Sequence, residues 1–415
     1  MKRRHMLLGL VSILLVCTMA LGTAGCGMTA SASDLMSGIK ANKVNKITLT
    51  DDFLNAQADF YSKLFDEIYR VSESKNVVIS PLSIQLALAM TANGAKGDTL
   101  SEMEQLLGRG MDIDLLSRYL YSYTSSLPSD KNAKLSIANA IWFNDSDGFP
   151  AVKESFLQKN ADFFGAGLYK QPFDSKALDD INTWVSKNTD GLIDKMLDDI
   201  DPGTLMFLIN AICFDAKWKM KYEPEHIIED KFTSLDGKIQ DAEFMHSGVN
   251  AYLSDGKATG FIKNYAGDKY SFAALLPNED VMLDEYISTL KTTLRDTLKN
   301  AESAEVSAYI PKFSFDYGIR LNEVLSALSM EKAFSAQADF SGICDEELYI
   351  SKVLHKAKIT VGEDGTKAAA ATSVEVKCMG TFVEGKVVRL DRPFVYMIID
   401  NENQLPIFMG TVTEF

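Results

Sequence analysis

Apolar positions along residues 51–415 recur with spacings that predict folded elements. Ala56, Phe60, Leu64 and Ile68 fall at every fourth position, as on a helix with one face against a core. Val77-Val78-Ile79 predicts a short buried strand. Ser80-Pro81 then supplies an N-cap followed by proline at the first helical position. The helix so begun carries Ile84, Leu86, Leu88 and Met90 and stops near Asn93-Gly94. Thr99 and Glu102 have capping-box spacing for a further helix running to Leu107-Gly108. Residues 136–143 predict a strand. Residues 205–214 are apolar almost throughout, too short for a membrane span and suited to a strand buried on both faces. Asn210 is the one polar side chain in that run and needs hydrogen-bond partners there. Residues 394–400 and 407–412 predict two strands joined by Asn401-Glu402-Asn403-Gln404 as a closing hairpin. Helices dominate the first part and strands the last, so the expected class is α+β with mixed, largely antiparallel sheets.

No Pro-, Gly- or Ser-rich linker, charge run or internal repeat interrupts residues 51–415, so one large domain is expected despite the 415-residue length. The start of the chain reads differently. Lys2, Arg3 and Arg4 precede a nearly unbroken apolar run over 6–21, which predicts an export signal. Its end, Thr23-Ala24-Gly25-Cys26, resembles the lipobox of bacterial lipoproteins. That resemblance implies removal of residues 1–25 and a lipid on Cys26, anchoring the protein to the outer face of a bacterial membrane. A plain signal peptide, and a secreted protein, is the alternative. Residues 26–50, rich in Thr, Ser, Ala and Lys, are expected to form the tether.

Charge and chemistry narrow the function by exclusion. With 42 basic and 57 acidic side chains the net charge is −15, which disfavours nucleic acid and polyanionic cofactors. Five cysteines without a C-x-x-C pair, and four histidines (His5, His226, His246, His355) without ligands at metal spacing, give no basis for a metal or cofactor. There is no H-E-x-x-H, G-x-S-x-G or phosphate-binding glycine motif, so an enzyme reading has no positive support. Cys213 and Cys344 read as small buried hydrophobes.

The segment 363–380 stands apart. From Thr366 onward, alternate positions are Thr366, Ala368, Ala370, Thr372, Val374 and Val376, all small or β-branched. The interleaved positions, Lys367, Ala369, Ala371, Ser373, Glu375 and Lys377, are mostly polar. This period of two suits a strand with one face on a core, whereas the alanines alone favour helix. Composition by itself prefers an ordinary edge strand.

The surrounding stretches change that preference. Residues 76–83 (NVVISPLS), 94–99 (GAKGDT), 210–218 (NAICFDAKW), Leu354-His355-Lys356 leading to Glu363-x-Gly365-Thr366, and 388–398 (VRLDRPFVYMI) together resemble the serpin family of protease inhibitors. The resemblance spans nearly all of residues 51–415. It implies the serpin fold, helices packed around these sheets with an exposed reactive-centre loop over about 363–392, and a monomer. A protease would cleave that loop and become acylated, and the freed loop would enter the large sheet as a new strand. By the same resemblance, Glu363, Gly365, Thr366, Ala368, Ala369, Ala370 and Ala371 are the hinge, and Ser80, Ser83, Asn210 and His355 the shutter. Trp218 belongs to the breach. Counting from Glu363 puts the scissile bond at Met379-Gly380, implying serine proteases of chymotrypsin-, elastase- or subtilisin-like specificity. A shifted register would use Phe382, or Lys377-Cys378 with a trypsin-like target. Cysteine proteases are a further target class, and a non-inhibitory surface protein with a binding or chaperone-like role is the competing function. Small residues in the hinge favour inhibition.

Overall fold

The computed structural model describes residues 32–146, 148–366 and 385–415. Eight α-helices lie among them: α1 (Asp51–Val71), α2 (Pro81–Ala92), α3 (Gly97–Gly108), α4 (Ile113–Thr124), α5 (Glu154–Phe164), α6 (Ser175–Asn188), α7 (Leu283–Lys299) and α8 (Asn322–Ala327). The first eight strands are β1 (Ser33–Asp34), β2 (Val78–Ile79), β3 (Ala133–Asn144), β4 (Gly167–Gln171), β5 (Met206–Lys217), β6 (Ile227–Thr233), β7 (Ile239–Ser254) and β8 (Ala258–Asn264). The rest are β9 (Tyr270–Pro277), β10 (Glu302–Pro311), β11 (Phe313–Arg320), β12 (Lys352–Gly362), β13 (Gly365–Thr366), β14 (Lys386–Arg389), β15 (Phe394–Asp400) and β16 (Leu405–Val412).

The strands form two sheets. The seven-stranded sheet runs β1-β4-β3-β5-β13-β12-β11, and the nine-stranded one β14-β10-β7-β8-β9-β15-β16-β2 with β6 on β7. Most neighbours are antiparallel; β3–β4, β5–β12 and β10–β14 are parallel. The expected α+β class with mixed, largely antiparallel sheets is the one observed.

The apolar run of β5 is explained by what lies on either side of it. Phe207, Ile209 and Ala211 join Trp142 of β3 and Ala177, Ile181 and Val185 of α6 in a small cluster. The alternate residues Met206, Leu208, Ile212 and Phe214 face the main core on the other side of the sheet. α2 is buried along its whole length, and Ser80 Oγ caps it by accepting from Ser83 N at 3.3 Å.

Two local expectations give way to tertiary contacts. The capping box at Thr99 and Glu102 does not form: α3 starts at Gly97 after an N-cap at Lys96 that makes no side-chain bond. Thr99 Oγ1 instead accepts from Asp339 N at 3.0 Å, and Glu102 Oε2 accepts from Glu331 N at 2.9 Å and Lys332 N at 2.8 Å. A loop from elsewhere in the chain has taken both acceptors. Likewise residues 32–50, expected as tether, are docked. β1 pairs with β4 as the edge of the seven-stranded sheet. Asn42 N donates to Asp162 Oδ1 at 2.7 Å, and Ile47 N to Ser122 Oγ at 2.9 Å. Leu35, Met36, Ile39 and Leu49 pack on the main core. The signal segment and Cys26 lie outside the described residues. Among those described, no helix is long and apolar enough to cross a membrane.

Candidate functional site

The centre of the seven-stranded sheet is where β5 and β12 meet. They pair directly along one stretch, Lys352–Lys356 against Phe207–Ala211, and His355 stands in register with Asn210. His355 Nδ1 lies 2.6 Å from Asn210 Oδ1. Asn210 Nδ2 donates to Asn139 Oδ1 of β3 at 2.5 Å and also to Ser83 Oγ of α2. Ser80 N donates to His355 Nε2 at 3.2 Å. With Nε2 accepting, Nδ1 carries the proton, a tautomer assigned from its partners. Complete burial pushes the His355 imidazole down to about 3, so it is neutral near pH 7.

Ser80, Ser83, Asn210 and His355 are thus brought together, and they staple three strands to the N-terminus of a buried helix. Neither serine oxygen hydrogen-bonds His355; one caps α2 and the other accepts from Asn210. The arrangement is built to hold strands together, with no serine–histidine pair poised for attack. Asn139 completes the group and was missed from sequence. Nothing in the sequence of β3, which also carries Asn144, singles it out; only the register of β3 on β5 sets it opposite Asn210.

At the other end β5 and β12 have parted, and β13 lies between them. Thr366 stands opposite Ala216 of β5 and Val361 of β12, and Gly365 opposite Lys217 and Gly362. The approach is close: a Cβ at Gly365 would fall 2.0 Å from Ala216 O and 2.8 Å from Lys217 Cα, so only glycine fits. Thr366 is 1% exposed, and its hydroxyl hydrogen-bonds Tyr265. Tyr265 stacks on Trp218 with ring centroids 4.6 Å apart. Trp218 Nε1 donates to Gly362 O at 2.8 Å, Trp218 N to Asp364 O at 2.9 Å, and Tyr222 N to Glu363 O at 3.0 Å. The Glu363 carboxylate pairs with Lys312. Burial alone would raise Glu363, but the Lys312 ammonium outweighs it and holds the carboxyl below its usual range. Glu363, Gly365, Thr366 and Trp218 therefore converge on one end of the β5–β12 gap. Ala368, Ala369, Ala370, Ala371, Lys377, Cys378, Met379, Gly380 and Phe382 lie outside the described residues.

A large sheet stapled at its middle, parted at one end and admitting the first residues of a following segment matches the architecture that the sequence motifs pointed to. The family described as "Serpin (serine protease inhibitor)" matches residues 55–415. The chain is a serpin. Human alpha-1-antichymotrypsin is 31% identical over 374 residues, covering 86% of this chain and 87% of that protein. The thermophilic serpin tengpin in its native state superposes with a TM-score of 0.88 at 46% identity, over 92% of this chain and 100% of that one. In its latent state tengpin gives 0.78 at 44% identity, over 89% and 100%. The serpin described here therefore resembles the native form of that relative more than the latent one. It belongs to a family of protease inhibitors directed at serine proteases, not a family of enzymes.

Two of its cysteines, Cys213 and Cys344, are free and buried, and burial pushes the Cys213 thiol up to about 11. Neither belongs to β13 or to the hydrogen-bonded group around Asn210 and His355.

Proposed function

We propose that this serpin inhibits serine endopeptidases as a suicide substrate. The bait segment follows Thr366, with the bond offered at Met379-Gly380. After acylation of the protease, the freed strand enters between β5 and β12 and carries the enzyme with it. The observation that carries the reading is β13: Gly365 and Thr366 already occupy the gap, with pairing to both flanking strands. Ala368 to Ala371, which come next, offer little steric resistance to the same path. Strand addition by the reactive loop is the family's established behaviour. About ten further backbone hydrogen bonds at ~1 kcal/mol each would favour the inserted form by on the order of 10 kcal/mol. The uncleaved form is then kinetically held.

An apolar unbranched Met379 suits chymotrypsin-, elastase- or subtilisin-like proteases. Mixing residues 26–415 with each of these and with trypsin tests the reading. An SDS-stable covalent complex with at least one of the first three is expected, and a complex with trypsin alone would move the bond to Lys377-Cys378. Cleavage by all four without any complex would overturn inhibition and favour a non-inhibitory binding role. The Thr23-Ala24-Gly25-Cys26 sequence further supports lipidation at Cys26 and an extracellular, membrane-anchored location. Cys26→Ala should then release the protein from membranes on fractionation; retention would refute the anchor.

A further inference from the structure

Beneath the hinge lies a lysine that neither the staple nor the bait segment accounts for. Lys263, on β8, is 4% exposed. Its ammonium sits 4.4 Å from the centroid of the Tyr222 ring and 5.4 Å from that of Trp218, and donates to Ser247 Oγ at 3.1 Å. Ser247 Oγ in turn donates to Tyr222 OH at 3.2 Å. The two rings stand edge to face, at 90° with centroids 6.4 Å apart, and form two walls of a cage around the amine.

The same two aromatic residues hold the hinge. Their backbone N–H groups donate to Asp364 O and Glu363 O, and the Trp218 indole donates to Gly362 O. A movement that carries the backbone of either residue away with its ring therefore opens the cage and loosens the turn leading into β13 together. The other charged groups around it are engaged elsewhere. On the hinge, Glu363 pairs with Lys312, which also pairs with Glu243 of β7. His246 of β7 hydrogen-bonds Ser307 and stacks on Tyr309, while β9 presents Phe272 in register with Lys263. Among the described residues no carboxylate pairs with the Lys263 amine.

We propose that Lys263 is a positioning residue of the hinge, whose amine takes up a proton as the Trp218–Tyr222 cage opens and so couples release of the Glu363–Thr366 turn to pH. The physical basis is a mismatch of environments. Two ring faces and one hydroxyl solvate a cation less well than water does, so burial pulls the Lys263 amine down to about 7. An amine in water keeps the ordinary value of about 10.4. Between these values the opened cage binds a proton that the closed cage lacks. Opening is then easiest below pH 7, where both forms are charged, and becomes harder as pH rises toward 10. The limit is about tenfold per pH unit, reached when the opened amine is fully hydrated.

The proposal rests on the hinge assignment above, but its test needs no protease. Hydrogen exchange at the Trp218 and Tyr222 amides reads opening of the turn in the intact protein. Wild type is compared with Lys263→Met, which keeps the volume, and Lys263→Gln, which keeps a polar group that does not titrate. Comparison at each pH cancels the intrinsic dependence of exchange. From pH 7 to 9, protection of both amides in wild type should rise several-fold per unit relative to either variant, with the ratio flat from pH 5.5 to 6.5. A constant ratio across the whole range would overturn the proposal, since a purely structural lysine changes protection equally at every pH. Failure of the covalent-complex assay would instead strike the inhibitory reading and leave the exchange result standing.

Discussion

His355 shows how much one buried side chain can govern. Its ring is neutral because it is buried, which holds the imidazole at about 3 against roughly 6.5 in an exposed histidine, while both nitrogens find hydrogen-bond partners. Between those values the unfolded chain binds a proton that the folded chain does not. Stability contributed by this group is therefore intact above about pH 6.5, falls as pH drops toward 3, and levels off below. The loss is on the order of 3–5 kcal/mol if no other group compensates. Urea unfolding between pH 7 and 4 should show this slope, reduced by about one proton in His355→Gln; an unchanged slope would assign the acid sensitivity elsewhere. Not all of the staple could be read from the chain alone. Asn210 announced itself as the lone amide in an apolar run. His355, Ser80 and Ser83 were legible only through their resemblance to family motifs, because nothing local says that a strand over 140 residues away lies alongside. Asn139 went unread because an amide in a half-polar strand is unremarkable until its cross-strand neighbour is known.

At the scale of elements, the proposed hinge starts with two adjacent residues that make different contacts. Gly365 lets the backbone reach β5, and Thr366 fits a small buried site beneath Tyr265. Thr366→Arg would place a long cation there without a partner. On the proposed mechanism it should turn the inhibitor into a substrate, with the loop cut and the protease released, as seen by loss of the SDS-stable band with cleavage retained. A variant that still trapped protease would show that the strand does not enter by this route. Elements buried over most of their length were the most legible: α2 and residues 206–214 of β5 are apolar because all faces, or both faces, are covered. The segment over 32–50 reads as a tether because its few apolar residues, Leu35, Met36, Ile39 and Leu49, are scattered among polar ones and the rest of its attachment is backbone pairing and polar anchors. The capping box failed for a related reason. Its spacing was right, but a distant loop offered donors to the same two acceptors.

At the largest scale, residues 31–415 form one compact unit around two sheets, so the prior for several domains, drawn from length, does not apply to residues 51–415. Its greater likeness to a native than to a latent relative fits a gap still open to a strand. If the bait segment fills that gap after cleavage, a protein cut in its loop and separated from protease should unfold at least ~10 °C higher than the intact one, from about 10 kcal/mol of added pairing. Thermal scans before and after limited proteolysis measure this directly, and equal midpoints would mean that cleavage leaves the sheet as it was.

The direct pairing of β5 with β12 has one more consequence, which concerns time. Continuing the register of β13 would bring Thr372 opposite Asn210, six residues past Thr366. On the proposed mechanism an entering strand first passes a stretch where β5 and β12 do not pair with each other, and meets the Asn210–His355 clasp part-way down its track. On the proposed mechanism the slow moment comes in mid-journey, while water is free to hydrolyse the acyl bond to the protease. The clasp then acts as an escapement: the ease with which four side chains let go decides whether each encounter ends with a captured enzyme or a spent bait.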